Sequence, residues 1–377
     1  MHSHPLSKRQ PIKLVDLNKQ HESLLAEIRL AIDRVIANST FIRGPDVEQF
    51  EENFKNLLGA QHCVSCANGT DSLFIAMKTL GVKPEDEVIV PAHSWISTSE
   101  TVTQAGGKVI FCDTDHTYTI DPKLIEAKIT SKTVGIIPVH LYGQPADMDA
   151  VLDISTRYGL WVIEDCAQAH LARYKGRVVG TIGDIGSFSF YPGKNLGAMG
   201  DAGALITNKP ELATKMAMYA RHGGLQKGSH EIEGINSRLD GIQAAILNIK
   251  MPHLPKWNLS RQALAKLYQS RLSGIGEIKV PEVAKDREHV WHLFVIECEQ
   301  REDLVRYLNS HGIQTAINYP IALPFLPAYK KQNHLPTDFP CSYRAQSRIL
   351  SLPMYPELDD RDVNWICNVI KDFFQNI

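Results

Sequence analysis

Apolar positions fall at helical spacing over residues 19–37, "KQHESLLAEIRLAIDRVIA", and again over "GPDVEQFEENFKNLLG", with Asp46 near its start and Gly59 just past its end. Residues three and four apart share a helix face, so both stretches predict amphipathic helices. From residue 60 the pattern changes to short apolar runs: "HCVSCA", "EVIVP", "KVIFCD", "TVGIIPVH", "LWVIED", "GSFSF" and "AGALIT". Helical stretches at 70–80, 95–105, 121–128 and 147–158 lie between several of them. That alternation predicts a mainly parallel sheet of seven strands within residues 60–207, covered by helices on both faces. A long helical region follows over about 209–273, broken by "HGGLQKGSHEIEGINSRL" and "PHLP". Residues 278–377 add "EIKVP", "HVWHLFVIECE", two amphipathic helices and a Pro-rich loop. The expected fold class is α/β, with a large domain over residues 1–255 and a smaller C-terminal α+β domain over 256–377.

The chain has 377 residues, 44% hydrophobic and 22% charged, with a net charge near −2. Nucleic-acid and anionic-membrane binding need a basic face, and this balance argues against both. No apolar run is long enough to span a bilayer. The start, "MHSHPLSKRQPIKLVDL", lacks the apolar core of a signal peptide, so a cytoplasmic protein is expected. Seven cysteines, an odd number, fit free thiols in a reducing compartment. Cys63 and Cys66 form a CxxC, but no second pair stands at zinc spacing and the stretch alternates like a strand end. No metal site is expected.

The chemistry gathers at strand ends, where parallel sheets bind ligands. "LWVIED" ends in two acids, and Asp165 projects at the expected site, although Glu164 is equally eligible. "CANGTDSL" runs from a strand through a Gly turn into a helix, so its backbone N–H groups and the Thr70 hydroxyl offer an anion site. "PAHSWIST" sets Trp95 where its ring could stack on a flat ligand. "SFSFYPGKNLGAMGDAGALIT" places Ser189 and a lone lysine, Lys194, in a run of small residues, and its glycines would let backbone approach a ring closely. Taken singly, these are a solvated lysine, a helix cap, a core tryptophan and a strand hydroxyl. Together they match pyridoxal 5′-phosphate (PLP): a lysine for the aldehyde, an acid for the pyridine nitrogen, a phosphate cradle and an aromatic platform. A Rossmann dehydrogenase would need GxGxxG after the first strand, and none is there.

The landmarks "NGTDSL", "VHLYGQPADMD", "VIEDCAQAH", "SFSFYPGKNLGAMGDAGALITN", "NSRLDGIQAAIL" and "LSLPMYPEL" together resemble the nucleotide-sugar aminotransferases of the DegT/DnrJ/EryC1/StrS family. The resemblance runs over nearly the whole chain and implies the aspartate-aminotransferase fold, fold type I. It implies that Lys194 forms the Schiff base, that Asp165 pairs with the pyridine nitrogen and that Gln168 hydrogen-bonds the ring oxygen. Gly69, Thr70 and Ser189 would bind the phosphate, and Trp95 would stack on the ring. Asn236 would reach the phosphate of the neighbouring subunit, which implies a homodimer with shared active sites. Tyr191, Arg238 and Tyr319 are candidates for the amino-donor contacts. Family dehydratases carry histidine where this chain has Lys194, so the resemblance implies transamination.

"YPGKNLGA" looks most like the 3-aminotransferases of dTDP-3-keto-6-deoxyhexoses. The implied reaction moves an amino group from L-glutamate to the keto carbon at C3, with the cofactor cycling through pyridoxamine 5′-phosphate (PMP). The alternatives are a 4-aminotransferase, a UDP-linked keto-sugar as substrate, or a non-catalytic regulator or scaffold. One segment departs from the pattern: relatives often read "HYPIPLH" where this chain has "NYPIALP", so Asn318 and Pro324 replace two histidines in a loop expected to line the sugar pocket. An amide cannot carry protons near neutral pH as imidazole does.

Overall fold

A computed structural model describes residues 10–226 and 228–375. Residues 1–9, on which the leader reading partly rests, lie outside them. All seven expected strands form: β1 (His62–Cys66), β2 (Glu87–Pro91), β3 (Lys108–Cys112), β4 (Thr133–Ile136), β5 (Trp161–Asp165), β6 (Ile185–Ser189) and β7 (Gly203–Thr207). They make one sheet in the order β1-β7-β6-β5-β4-β2-β3. Only β7 runs against its neighbours, pairing antiparallel with β1 and β6. The lone reversal has a consequence for function. The loop from β6 to β7 turns back at the same sheet edge where the other strands end.

Side chains alternate across the sheet as the pleat requires. Val162, Phe188, Ala204 and Ile206 enter a core with Phe50, Phe54 and Phe190 on one face. Ile163, Ile185 and Leu205 enter the other, with Leu73, Ile75 and Met77. Phe50, Phe54, Phe188 and Phe190 are wholly buried, each burial stabilising by about 1.5–3 kcal/mol. Helix Pro45–Leu58 ends at Gly59, whose φ of 72° is the left-handed cap that glycine adopts without strain.

The first expected helix is two: Leu17–Glu22 and Leu25–Asn38. Ser23 breaks it, its hydroxyl bonding back to the Gln20 carbonyl at 3.2 Å in competition with the helical ladder. In the C-terminal part, "EIKVP" contributes only an isolated bridge between Lys279 and Glu297. "HVWHLFVIECE" yields a strand only at Phe294–Glu297, paired antiparallel with Ile349–Leu352. Trp291 has φ 49°, outside the extended region, so no strand can run through it. A separate core gathers around Tyr268, Phe294, Leu350 and Ile370, and Ile12 from the N-terminal segment joins it.

Candidate active site

Strands β1, β2, β5 and β6 end around one cavity of about 760 Å³. Lys194, Asp165, Gly69, Thr70, Trp95, Gln168, Ser189, Tyr191, Asn318 and Tyr319 all line it. The sheet edge thus brings together ten of the expected residues. Asn236 and Arg238 do not line it; Asn236 is exposed and bridges to Arg221. Pro324 is buried in the turn Leu323–Phe325, away from the cavity, so the departure at 324 does not alter its lining.

The structure distinguishes the two acids of β5. Neighbouring strand residues face opposite sides, and only Asp165 reaches the cavity. Its Oδ2 accepts from the Thr98 hydroxyl at 2.9 Å and its Oδ1 from Ala167 N–H at 3.2 Å. Burial raises its pKa, against the pull of those donors and of the nearby Lys194 charge. Glu164 is saturated on the other face by His140 Nε2 (3.0 Å) and the N–H groups of Gly180 (2.8 Å), Ile182 (2.7 Å) and Gly183 (2.7 Å). His140, Glu164 and Cys166 stand close enough to suggest a metal cluster, but those four bonds give Glu164 a structural task. Cys63 and Cys66 are free thiols, both pushed up by burial.

Lys194 sits on a tight turn, its N–H bonded to the Tyr191 carbonyl at 2.8 Å. Burial lowers its pKa to about 8, with Asp165 opposing the shift. A neutral, nucleophilic amine is therefore accessible close to neutral pH. Gly193, directly before the lysine, lines the cavity with only the Tyr191 ring near it, at 3.7 Å, whereas two neighbouring glycines serve close protein contacts. A Cβ at Gly197 would stand 2.2 Å from the Pro192 carbonyl oxygen, and one at Gly203 2.3 Å from that of Asn68.

Helix Gly69–Thr79 points its N-terminus into the cavity, capped by Asn68, whose Oδ1 accepts from Asp71 N–H at 2.8 Å. Gly69 packs directly on Ser189, where a Cβ would come within 2.5 Å of the serine Cβ. Thr70 Oγ1 lies 2.7 Å from Ser97 Oγ. Hydroxyls and helical N–H groups thus converge on one spot, as a phosphate requires. Gln168 is held with Oε1 accepting from Tyr142 N–H (2.7 Å) and Nε2 donating to the Tyr319 hydroxyl (2.9 Å). Trp95 is 56% exposed and tilts against Tyr319, with ring centroids 5.3 Å apart, so it is not a core residue.

Sequence reasoning missed Thr98, Ser97 and His292. The first two stand beside Trp95 in "SWIST", where the serine and threonine pattern was available as a signal. His292 hid inside a stretch that reads as a strand. Among the lining residues Lys194 is the one lysine or arginine, against the carboxylates of Asp71, Asp165 and Asp201.

A lysine and a buried acid stand together at the edge of this α/β sheet, and the fold is that of the fold type I aminotransferases. The chain belongs to the DegT/DnrJ/EryC1/StrS aminotransferase family, whose model matches residues 22–371. It is 40% identical over 367 residues to the dTDP-3-amino-3,4,6-trideoxy-alpha-D-glucose transaminase of Streptomyces venezuelae, covering 97% of each chain. The crystal structure of S. venezuelae DesV in complex with a ketimine intermediate matches with a TM-score of 0.96 at 40% identity, over 98% of this chain and 100% of that one. That of ntda from Bacillus subtilis with bound cofactor PMP matches at 0.88 and 34% identity, over 98% and 87%. Among the described residues no helix is long and apolar enough to cross a membrane.

Proposed function

We propose that this aminotransferase uses PLP to move an amino group from L-glutamate to C3 of a dTDP-linked 3-keto-6-deoxyhexose. The observation that carries the reading is Lys194, Asp165 and the Gly69–Ser189 pocket in one cavity. The residues fit the cofactor chemically: a lysine of lowered pKa for its aldehyde, a buried carboxylate for its ring nitrogen and a pocket of hydroxyls and N–H groups for its phosphate. PLP, when bound, supplies a protonated ring that draws electrons from the amino donor's α-carbon.

The chain's own residues supply the rest. Asp165, oriented by Thr98 and Ala167, holds the ring proton. Lys194 Nζ takes and returns protons as general base and acid, with a pKa of about 8 suited to both tasks. Gln168 aims its Nε2 donor into the cavity from a position fixed by Tyr142. Thr70, Ser189 and the helix N-terminus hold the phosphate, and Trp95 covers the ring. Tyr191, Asn318 and Tyr319 take the sugar and the donor.

A homodimer with shared sites belongs to the same proposal. Glutamate, the phosphate and the nucleotide diphosphate are all anions, whereas one chain lines the cavity with a single lysine and three carboxylates. Phe41, Ile42, Leu225 and Ile232 are exposed apolar residues near the segment that carries Asn236 and Arg238, and Ile42 bridges to Asp240. A partner covering that patch would receive both residues at its own cavity. The separate C-terminal core, which helix Leu254–Leu272 joins from Leu264 onward and Ile12 enters from the other end of the chain, supports a smaller C-terminal domain, and seven free thiols support a cytoplasmic setting.

The test is turnover of dTDP- and UDP-linked keto-sugars with L-glutamate, the new amine being located by NMR. The C3 amine on a dTDP-sugar is the expected product; amination of only a UDP-sugar, or at C4, would replace the substrate assignment. Lys194→Ala should lower turnover by about a thousandfold or more. A variant within about tenfold of the parent would overturn the assignment of the lysine.

A further inference from the structure

Leu141 lines the cavity, but Tyr142 beside it is buried behind the lining. Its backbone stands at φ 59° and ψ 0°, in the left-handed region where a side chain is strained. From that position two of its polar groups reach two different parts of the chain. The N–H donates to Gln168 Oε1 at 2.7 Å, and the hydroxyl donates to the backbone carbonyl of Asn318. Gln168 Nε2 closes the circuit by donating to the Tyr319 hydroxyl at 2.9 Å. Gln168, Asn318 and Tyr319 all line the cavity, the first just beyond β5 and the other two from the C-terminal part of the chain.

The direction of each proton follows from what the partners can do. A carbonyl only accepts, so the single proton of the Tyr142 phenol goes to Asn318. His93 Nε2, 3.0 Å from the same phenol oxygen, must then carry a hydrogen and donate it. This imidazole is wholly buried, with the rings of Tyr118, Tyr142 and Tyr319 around it at 6.3, 6.4 and 6.2 Å between centroids. Burial lowers its pKa to about 4, against the pull of the Asn318 carbonyl and of Asp113. Near neutral pH it therefore carries one proton, and Nδ1, which has no hydrogen-bond partner, is bare. Packing alone accounts for the Tyr142 ring, which meets Tyr118 at 5.5 Å, but not for the hydroxyl shared by two buried groups.

We infer that Tyr142 is a positioning residue that sets two walls of the cavity through separate atoms: its N–H fixes Gln168, and its hydroxyl, oriented by His93, fixes the Asn318–Tyr319 segment. Assigning the first wall to the cofactor and the second to the sugar rests on the aminotransferase reading; the bonds themselves do not. Tyr142→Phe removes the hydroxyl and keeps the ring and the N–H, so it should separate the two walls.

The first test is NMR of cofactor-free protein labelled with 15N-histidine, with the His93 signals assigned by their loss in His93→Gln. The expected spectrum has the proton on Nε2, no titration between about pH 6 and 9, and an Nε2 signal that moves in Tyr142→Phe. A proton on Nδ1, a charged ring at neutral pH, or an Nε2 signal indifferent to the variant overturns the inference. The second test is kinetic. Tyr142→Phe should raise KM for the keto-sugar about tenfold, lower kcat by less than about threefold, and leave the Kd for PLP within about twofold of the parent. An unchanged KM, or equal losses in sugar KM and PLP affinity, also overturns the inference, because the second result would make Tyr142 a support of the whole site. A parent enzyme that aminates no nucleotide sugar would refute the proposed reaction separately, while the histidine spectrum still decides the network.

Discussion

Lys194 is held against its own preference, and pH exposes the cost. An unfolded lysine keeps its proton up to about pH 10.5, whereas burial brings this one to about 8 even with Asp165 pulling the other way. Below about pH 8 both states are protonated and the fold bears the whole cost of the buried charge. Between about 8 and 10.5 the unfolded chain binds more protons, so this residue's contribution to stability rises with pH. Asp165 acts in the opposite sense: its raised pKa is a cost at neutral pH that is relieved as pH falls. Lys194→Met should therefore stabilise the cofactor-free protein at pH 7 by about 1–2 kcal/mol, with partial solvent exposure discounted, and the gain should shrink towards pH 10. Urea unfolding at the two pH values checks this. A gain that ignores pH would mean that the charge is not what the fold resists. At this scale the lysine was legible in the sequence because its setting is local. The choice between Glu164 and Asp165 was not, because it depends on which face of β5 meets Gly180–Gly183 and which meets Thr98.

The meeting of helix Gly69–Thr79 with β6 shows what an element contributes beyond its residues. The helix can offer its N-terminus only because Gly69 lies on Ser189, closer than any side chain allows. Gly69→Ala should cost about 1–3 kcal/mol, as overpacking does, and should weaken cofactor binding by tilting the helix end. Adding Ser189→Gly removes the atom that the new methyl would strike hardest, so the double variant should regain part of the stability while losing the serine's hydroxyl, the Ser189 Cα at 3.1 Å and a glycine within the strand keeping the rest. Denaturant unfolding and cofactor titration separate the two effects; an Ala variant as stable as the parent would show that the contact is slack. Strand runs were readable because each is short, apolar and bounded. The tail was harder to read. "HVWHLFVIECE" has the composition of a strand, but its first half is bent at Trp291 and committed to Asn195 and Arg261 through tertiary bonds that no periodicity records.

At the scale of the whole molecule the cavity poses a problem of charge. Its ligands in the proposed reaction are anions, and one chain lines it with carboxylates in excess of cations. Asn236 stands outside it, exposed on a segment flanked by apolar side chains with no cover. Sequence pattern could not reveal this, because a residue that acts in a second copy has no local partner to betray it. The role proposed for Asn236 rests on resemblance alone. Subunit mixing tests the shared site directly. Asn236→Asp places a negative charge where a phosphate is proposed to bind, so it should be nearly inactive, as should Lys194→Ala. If Asn236 serves the partner's cavity, a mixed dimer has one doubly damaged site and one intact site, the latter combining Lys194 from the first variant with Asn236 from the second. Random assortment makes half the dimers mixed, so refolding the two variants together should restore about a quarter of the parent's activity. If Asn236 instead served its own chain's cavity, every site in every dimer would carry a lesion, and the mixture would stay as inactive as its components.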